Sequence, residues 1–228
     1  MLQQTQTNRV LPKYEAFLKE FPTIKDLAQA SNEEVLKMWS GLGYNRRALY
    51  LKQAAEKLFQ NGDFHPLNLK TLKGIGENTA GAIYVFSFNK PYVFIETNIR
   101  RVFIHEFFKD QEKVSDKEIL KLIEQTLPNE KSLQSREWFY ALMDYGSHLS
   151  KIEVNPNHRS KHYTKQSKFE RSLRQTRGKI LKILINKKHV SIYDLNQTIE
   201  SPHFKKALEQ LKNEGFIVQK KETILIKS

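Results

Sequence analysis

Apolar residues recur at helical spacing through the first 150 positions. Val10, Leu11, Tyr14, Phe17, Leu18 and Phe21 make a 3.6-residue stripe, and Pro22 behind it cannot continue the backbone ladder. Asn32-Glu33-Glu34 opens a second helix with acids at its positive dipole end, and Gly41-Leu42-Gly43 breaks it. A third helix is predicted from Arg46 to Phe59, then a loop and a short helix over residues 60–71. Thr79 to Phe88 is apolar enough to be buried, and Asn98 to Phe108 reads as a helix with a mixed face. Ser115, with Glu118 three residues on, forms a capping box ahead of a helix from Ile119 to Leu127. Arg136 to Leu149 is amphipathic, with Trp138, Phe139, Leu142 and Met143. No strand pattern interrupts this half, so it is expected to be all-helical.

The pattern changes after residue 150. Ile152 to Ser167 has no apolar period and contains the turn signal Asn155-Pro156-Asn157. Structure resumes with a long basic helix from Phe169 to about Asn186. Ser191 caps a short helix carrying Leu195 and Ile199, and a further helix covers Pro202 to Asn213 with Gly215 as its C-terminal stop. Phe216 to Gln219 and Thr223 to Ile226 then read as two short strands around Lys220-Lys221-Glu222. Three helices followed by a hairpin is the order of a winged helix. The expected organisation is a mainly α body over 1–150, a basic linker over 151–167 and an α+β winged-helix domain over 168–228.

Composition narrows the possible partners. The net charge is +13, and residues 151–228 carry 18 Lys and Arg against 7 Asp and Glu, whereas residues 1–150 carry 20 against 18. A basic tail on a nearly neutral body points to a polyanion, nucleic acid above all; a solvated lysine-rich surface is the alternative. The chain has no cysteine, which excludes disulfides, zinc thiolates and cysteine-bound iron–sulfur clusters. No run approaches the ~18 apolar residues a membrane span needs. The start, Met1-Leu2-Gln3-Gln4-Thr5, has no basic or apolar signal core, so a cytoplasmic location is expected.

Two segments carry candidate chemistry. Leu72-Lys73-Gly74-Ile75-Gly76-Glu77-Asn78-Thr79-Ala80 puts two glycines directly before a helix start. There the backbone can approach a ligand closely, and unpaired N–H groups face an anion. With a short helix before it, this is a helix-hairpin-helix, which holds phosphates without reading bases; a plain interhelix turn has the same sequence. Phe94-Ile95-Glu96-Thr97-Asn98-Ile99-Arg100-Arg101-Val102 then opens a helix with a carboxylate. A fixed carboxylate can stabilise the oxocarbenium-like state of glycosidic cleavage or deprotonate the attacking water. It can equally be an acid serving the helix dipole.

Together, Met1 to Thr5, Trp39-Ser40-Gly41-Leu42-Gly43-Tyr44, Leu72 to Ala80 and Ile95 to Val102 resemble the adenine DNA glycosylases of the MutY type. These are helix-hairpin-helix glycosylases, a superfamily that also includes endonuclease III, and the resemblance covers roughly residues 1–150. It implies a six-helix barrel with a second helical lobe, base-excision repair, and double-stranded DNA with a mispaired or damaged base as substrate. It also implies roles for residues. Gln3, Gln4 and Thr5 lie near the lesion, with Gln4 wedged into the stack, and Tyr44 is the wedge on the opposite-base side. Lys73, Gly74, Ile75, Gly76, Asn78 and Thr79 bind backbone phosphate, with Arg100 also at the DNA. Glu96 stands where the family has its catalytic aspartate, and Asn98 orders the site. Asn78 stands where lyase members have lysine. Asparagine cannot form a Schiff base, so a monofunctional glycosylase is expected.

Four departures from the pattern bear on these expectations. The family's general acid lies just upstream of the Met-Leu-Gln-Gln block, so the chain reads as N-terminally truncated, at an expected cost of roughly 10²–10⁴-fold in rate. Glu96 is one methylene longer than aspartate. The family's iron–sulfur cluster has no ligands here, and His148, His158 and His162 in its place fit no strong zinc pattern, so neither cofactor nor metal is expected. A winged helix replaces the family's reader of 8-oxoguanine, and Pro202 to Asn213 is its candidate recognition helix. The expected function is a monomeric, monofunctional glycosylase removing adenine opposite 8-oxoguanine or guanine. The alternatives are a non-catalytic DNA-binding protein and an inactive fragment from a misassigned start codon.

Overall fold

The computed structural model describes residues 1–61, 66–128, 134–152, 154–165 and 167–227. Parts of the expected loop at 60–71 and of the expected linker at 151–167 lie outside this set, as does residue 228. The chain divides into two compact units: residues 1–64, 72–74 and 167–228, and residues 65–71 and 75–166.

The first unit begins with α1 (Thr7–Glu20), α2 (Ile24–Gln29), α3 (Asn32–Trp39) and α4 (Arg46–Asn61). Thr23 and Asp26 form a reciprocal capping box that starts α2, a helix the apolar pattern did not signal, and Ser31 with Glu34 does the same for α3. The unit continues with α9 (Leu173–Lys187), β1 (His189–Ser191), α10 (Ile192–Ile199), α11 (Phe204–Asn213), β2 (Ile217–Lys220) and β3 (Thr223–Ile226). The strands form an antiparallel sheet in the order β1-β3-β2. Left-handed residues stop each helix in turn: Lys188 after α9, Glu200 after α10 and Gly215 after α11. β1 is three residues long and exists by pairing with β3, so it left no sequence signal of its own.

These two stretches do not form separate cores. Val35, Leu36, Trp39 and Ala48 from the first share one buried cluster with Ile180, Leu184, Leu195, Leu211 and Phe216 from the second. Asn32 donates to the Lys227 carbonyl at 2.8 Å, and Glu214 pairs with Arg46 of α4 as well as with Arg177 of α9. The boundary expected between a body at 1–150 and a terminal domain at 168–228 therefore does not follow the packing. Helices α1–α4 bury their apolar stripes partly against the C-terminal segment.

The second unit has a 3-10 turn (Pro66–Thr71), α5 (Glu77–Phe88), α6 (Thr97–Phe107), α7 (Asp116–Thr126), α8 (Ser135–Ile152) and a second 3-10 turn (Pro156–Arg159). Its core is Val85, Phe94, Ile95, Ile99, Phe103, Ile104, Ile119, Ile123 and Phe139. The capping box of Ser115 and Glu118 forms as the sequence suggests. In α5 only Ala80, Gly81 and Val85 are fully buried, so burial there is narrower than its composition implied. Phe94 and Phe139 stack with ring centroids 4.5 Å apart.

The segment expected as a linker is instead a polar strap on α6. Pro156, Asn157 and Ser160 are buried. Asn157 donates to the Thr97 carbonyl at 3.0 Å, and Asn155 accepts from Arg101 at 3.1 Å. The Arg159 guanidinium caps α6 at its other end through the carbonyls of Ile104, Phe108 and Lys109. Val114 pairs with residues 159–161 in a single parallel bridge. The strap's contacts are hydrogen bonds between distant residues, which an apolar period cannot reveal.

Candidate active site and nucleic-acid surface

In the second unit the buried pair Phe94-Ile95 anchors an extended segment that ends at Glu96, the N-cap of α6. The Glu96 Oε1 accepts from the backbone N–H groups of Asn98 at 2.6 Å and Ile99 at 2.8 Å. Among the described residues no hydrogen bond falls on Oε2. Burial pushes the carboxyl above the usual range; the two amide bonds and the charges of Arg101 and Arg100 pull the other way without reversing it. One oxygen thus serves the helix, and the other belongs to a carboxylate of raised basicity. This meets the requirement for a base and the requirement for a cap at once.

Asn98 is held from two sides. Its Oδ1 accepts from Arg101 Nη1 at 2.6 Å, and the same Nη1 donates to the Gly146 carbonyl at 2.5 Å. Gly146 lets α8 approach: a Cβ there would lie 2.3 Å from the Asn98 carbonyl oxygen. Asn78 accepts from the Ile95 N–H at 3.4 Å, which puts it beside the Glu96 segment. Gly76 is the N-cap of α5, and Glu77 in its first turn pairs with Lys70. Thr79 lies in the same first turn of α5. Arg100 is committed elsewhere, in a two-pronged pair with Asp116 at 2.7 and 2.8 Å, so its expected DNA contact would have to compete with that pair.

The first unit gathers another group. Arg47 of α4 donates to the carbonyls of Met1 at 2.9 Å and Gln3 at 2.5 Å and to the Thr5 hydroxyl at 2.9 Å. Thr5 in turn donates to the Leu42 carbonyl. The guanidinium lies 5.3 Å from the Trp39 ring centroid and 5.5 Å from that of Tyr44. Gln4 and Tyr44 both take left-handed backbone, with φ of 58° and 47°, a conformation non-glycine residues adopt at some cost. Ordinary turns at Asn89 and Lys221 do the same, so the strain alone assigns nothing. Arg47, an arginine the sequence reading did not single out, thus gathers Met1, Gln3, Thr5 and Tyr44 around one guanidinium. Lys73 sits over the Tyr50 ring at 5.6 Å. Gly74, with φ of 86°, lies so close to that ring that a Cβ would meet it at 2.2 Å. Ile75 begins the stretch assigned to the second unit.

Residues 1–129 match the family described as HhH-GPD superfamily base excision DNA repair protein. The chain belongs to this superfamily. Among similar HhH-GPD relatives, the adenine DNA glycosylase of Buchnera aphidicola subsp. Baizongia pistaciae is 37% identical over 68% of this chain and 45% of its own length. The adenine DNA glycosylase of Homo sapiens is 39% identical over 45% of this chain and 20% of its own. The chain thus spans less than half the length of these relatives. A thermostable thymine-DNA glycosylase structure superposes with a TM-score of 0.55 at 23% identity, covering 64% of this chain and 69% of that one. A Helicobacter pylori 3-methyladenine DNA glycosylase gives 0.51 at 16% identity, covering 67% and 81%. These two show a shared fold.

A cysteine-bound cluster of the kind the resemblance implies does not fit this HhH-GPD chain. It has no thiolate to offer, and residues 155–161 are occupied by the strap. Among the described residues no three His, Asp or Glu are grouped to hold a metal, and none of the helices is long and apolar enough to cross a membrane. Sequence reasoning missed Arg47, Arg101 and Gly146. Only Gly146 gave a signal, a lone glycine inside a strong helical pattern, which marks a close approach.

Proposed function

We propose that the chain is a monofunctional DNA N-glycosylase that removes adenine mispaired with 8-oxoguanine or guanine in duplex DNA, acting as a monomer. The observation that carries this reading is Glu96: a half-buried carboxylate of raised pKa, fixed through one oxygen. In the step proposed, the bond from C1′ to the purine N9 breaks with its electron pair on nitrogen. A water oxygen bonds to C1′, Glu96 takes one proton of that water, and the departing purine takes its proton from a second, solvent water. Asn98, held by Arg101, which is itself anchored on the Gly146 carbonyl, fixes the start of the helix that carries Glu96. The Asn78 amide has no basic nitrogen for a Schiff base, which supports hydrolysis without strand cleavage. The order α9-β1-α10-α11-β2-β3 and the sheet order β1-β3-β2 support a winged helix in the C-terminal segment.

The test is base release from a duplex carrying adenine opposite 8-oxoguanine or guanine, read as strand scission after alkali. Glu96→Gln retains an acceptor for the two amides and should lose about 10²–10⁴-fold in single-turnover rate. In the unaltered chain the rate should fall as pH drops through the raised Glu96 value, at higher pH than an ordinary carboxyl would give. The folded state holds the Glu96 proton more tightly than the unfolded chain, so ionisation costs stability as pH rises through that value. Glu96→Gln should therefore melt higher at neutral pH. A substituted protein that releases adenine at the original rate would leave Glu96 as a cap only. Tight duplex binding with no base released from any mispair would favour the non-catalytic reading.

A further inference from the structure

The C-terminal segment offers two basic faces, and they are not equivalent. On α11, Phe204, Ala207, Leu208 and Leu211 are buried. Lys212 donates to Gln219, and Glu209 stands near Lys205 and Lys206 much as Glu170 stands between Phe169 and Arg171, but α11 has no exposed ring beside its lysines. The residues leading into α9 differ. Arg174 donates to the Tyr44 hydroxyl at 3.4 Å and to the Ser167 carbonyl at 2.7 Å, so this stretch is folded against the rim that holds Tyr44, within the same unit. Lys168 and Arg171 are exposed. Phe169 between them is 58% exposed and Tyr44 38%. Further along α9, Arg177 is paired with Glu214, while Lys179, Lys182 and Lys187 are exposed; what sets the start apart is that its cations stand with an exposed ring, Phe169, and reach Tyr44 through Arg174.

Exposed rings interleaved with cations are what a splayed nucleic-acid strand requires: guanidinium and ammonium groups for its phosphates and aromatic faces for its bases. We propose that Lys168, Phe169, Arg171 and Arg174 continue the Tyr44 rim as a DNA-strand contact, and that this edge, not α11, is where the C-terminal segment meets the duplex. The proposal rests on the reading of the chain as a DNA glycosylase and assigns the strand that passes Tyr44 to these residues. It replaces the expectation that Pro202 to Asn213 is the recognition helix. Phe169 stacks on a base or sugar of that strand, while Arg171 and Arg174 neutralise two phosphates.

The test is fluorescence anisotropy on the full chain, across a salt series, with a duplex carrying a tetrahydrofuran abasic analogue opposite guanine. The Arg171→Ala/Arg174→Ala double variant should bind about 10-fold or more weakly. Its log–log salt slope should be shallower by about 2, since each neutralised phosphate contributes close to one. Arg171→Lys/Arg174→Lys, which retains the charges, should restore the slope, and this separates phosphate contact from misfolding. Phe169→Ala should weaken binding about 5- to 100-fold with the slope unchanged, as loss of one stacking contact does. Lys205→Ala/Lys206→Ala should stay within about twofold. The proposal is overturned if the α11 pair matters and the α9 pair does not, if neither matters, or if the lysine exchange fails to restore the slope. If all these variants bind normally while Glu96→Gln abolishes base release, the edge alone is wrong. If the unaltered chain binds no duplex and releases no base, the glycosylase reading falls with it.

Discussion

The two units reach stability by different routes. The second closes a core from one nearly continuous stretch, 75–165, and then ties α6 down with a polar strap. The first draws its core from both ends of the chain, with Trp39 and Leu36 buried in the same cluster as Leu184 and Phe216. Chemistry follows the same division. Glu96 and Asn98 sit in a hydrogen-bond network whose partners lie within about 60 positions along the chain, whereas Tyr44, beside the nearby Arg47, also receives Arg174 from 130 positions away. The candidate catalytic carboxylate is therefore a local construction, and the candidate DNA rim depends on long-range closure.

The largest effect expected from this contrast comes from removing residues 168–228. Each large apolar side chain uncovered forfeits roughly 1.5–3 kcal/mol, so exposing Val35, Leu36, Trp39 and Leu49 of the shared cluster would cost an amount comparable to the whole stability of about 5–15 kcal/mol that domains have. The truncated chain should lose cooperative unfolding of α1–α4 while amide exchange in α6–α8 stays protected. Unchanged melting of α1–α4 would mean the two stretches have separate cores. Next is Gly146→Ala, which drives a methyl into the Asn98 carbonyl. Accommodation should cost about 1–3 kcal/mol, and a displacement near 1 Å should slow base release roughly 10²-fold while duplex binding barely changes; full activity would show that α8 does not fix Asn98.

A smaller effect is expected from Arg159→Met, which leaves the carbonyls at the end of α6 unserved. Chemical denaturation should show the second unit weakened by about 1–3 kcal/mol and the first unaffected. Smallest is Glu214→Gln. Arg177, then Arg46, hold the Glu214 carboxyl below its ordinary range against the opposing effect of burial. A depressed carboxyl contributes stability above its unfolded value and loses it as pH falls through the folded one. The unaltered chain should therefore melt above Glu214→Gln at pH 7 by about 1 kcal/mol, and the two should converge in acid. A gap that persists in acid would assign the effect to packing.

How much of this was legible depended on distance along the chain. The caps at Ser115 and Ser191, the helix starts at Glu77 and Thr97 and the position of Glu96 are local features, and residue pattern revealed them. Thr23 and Asp26 are a local signal too, but the helix they cap is only six residues long, too short to show an apolar period. The strap was misread because Arg159, Asn155 and Asn157 act through single hydrogen bonds to α6 that leave no period. The union of residues 1–64 with 167–227 has no local signature at all, since an apolar stripe says that it will be covered and not by what.

That union also sets an order of events during synthesis. Helices α1–α4 leave the ribosome well before the partners for part of their apolar surface are made. Residues 75–165 can close in between from contacts of short sequence separation, which form quickly, while the first unit waits on a loop closure spanning most of the chain. Until Phe216 and Ile224 emerge, the N-terminal helices hold uncovered apolar surface on a growing chain, the kind of surface that aggregates or engages chaperones.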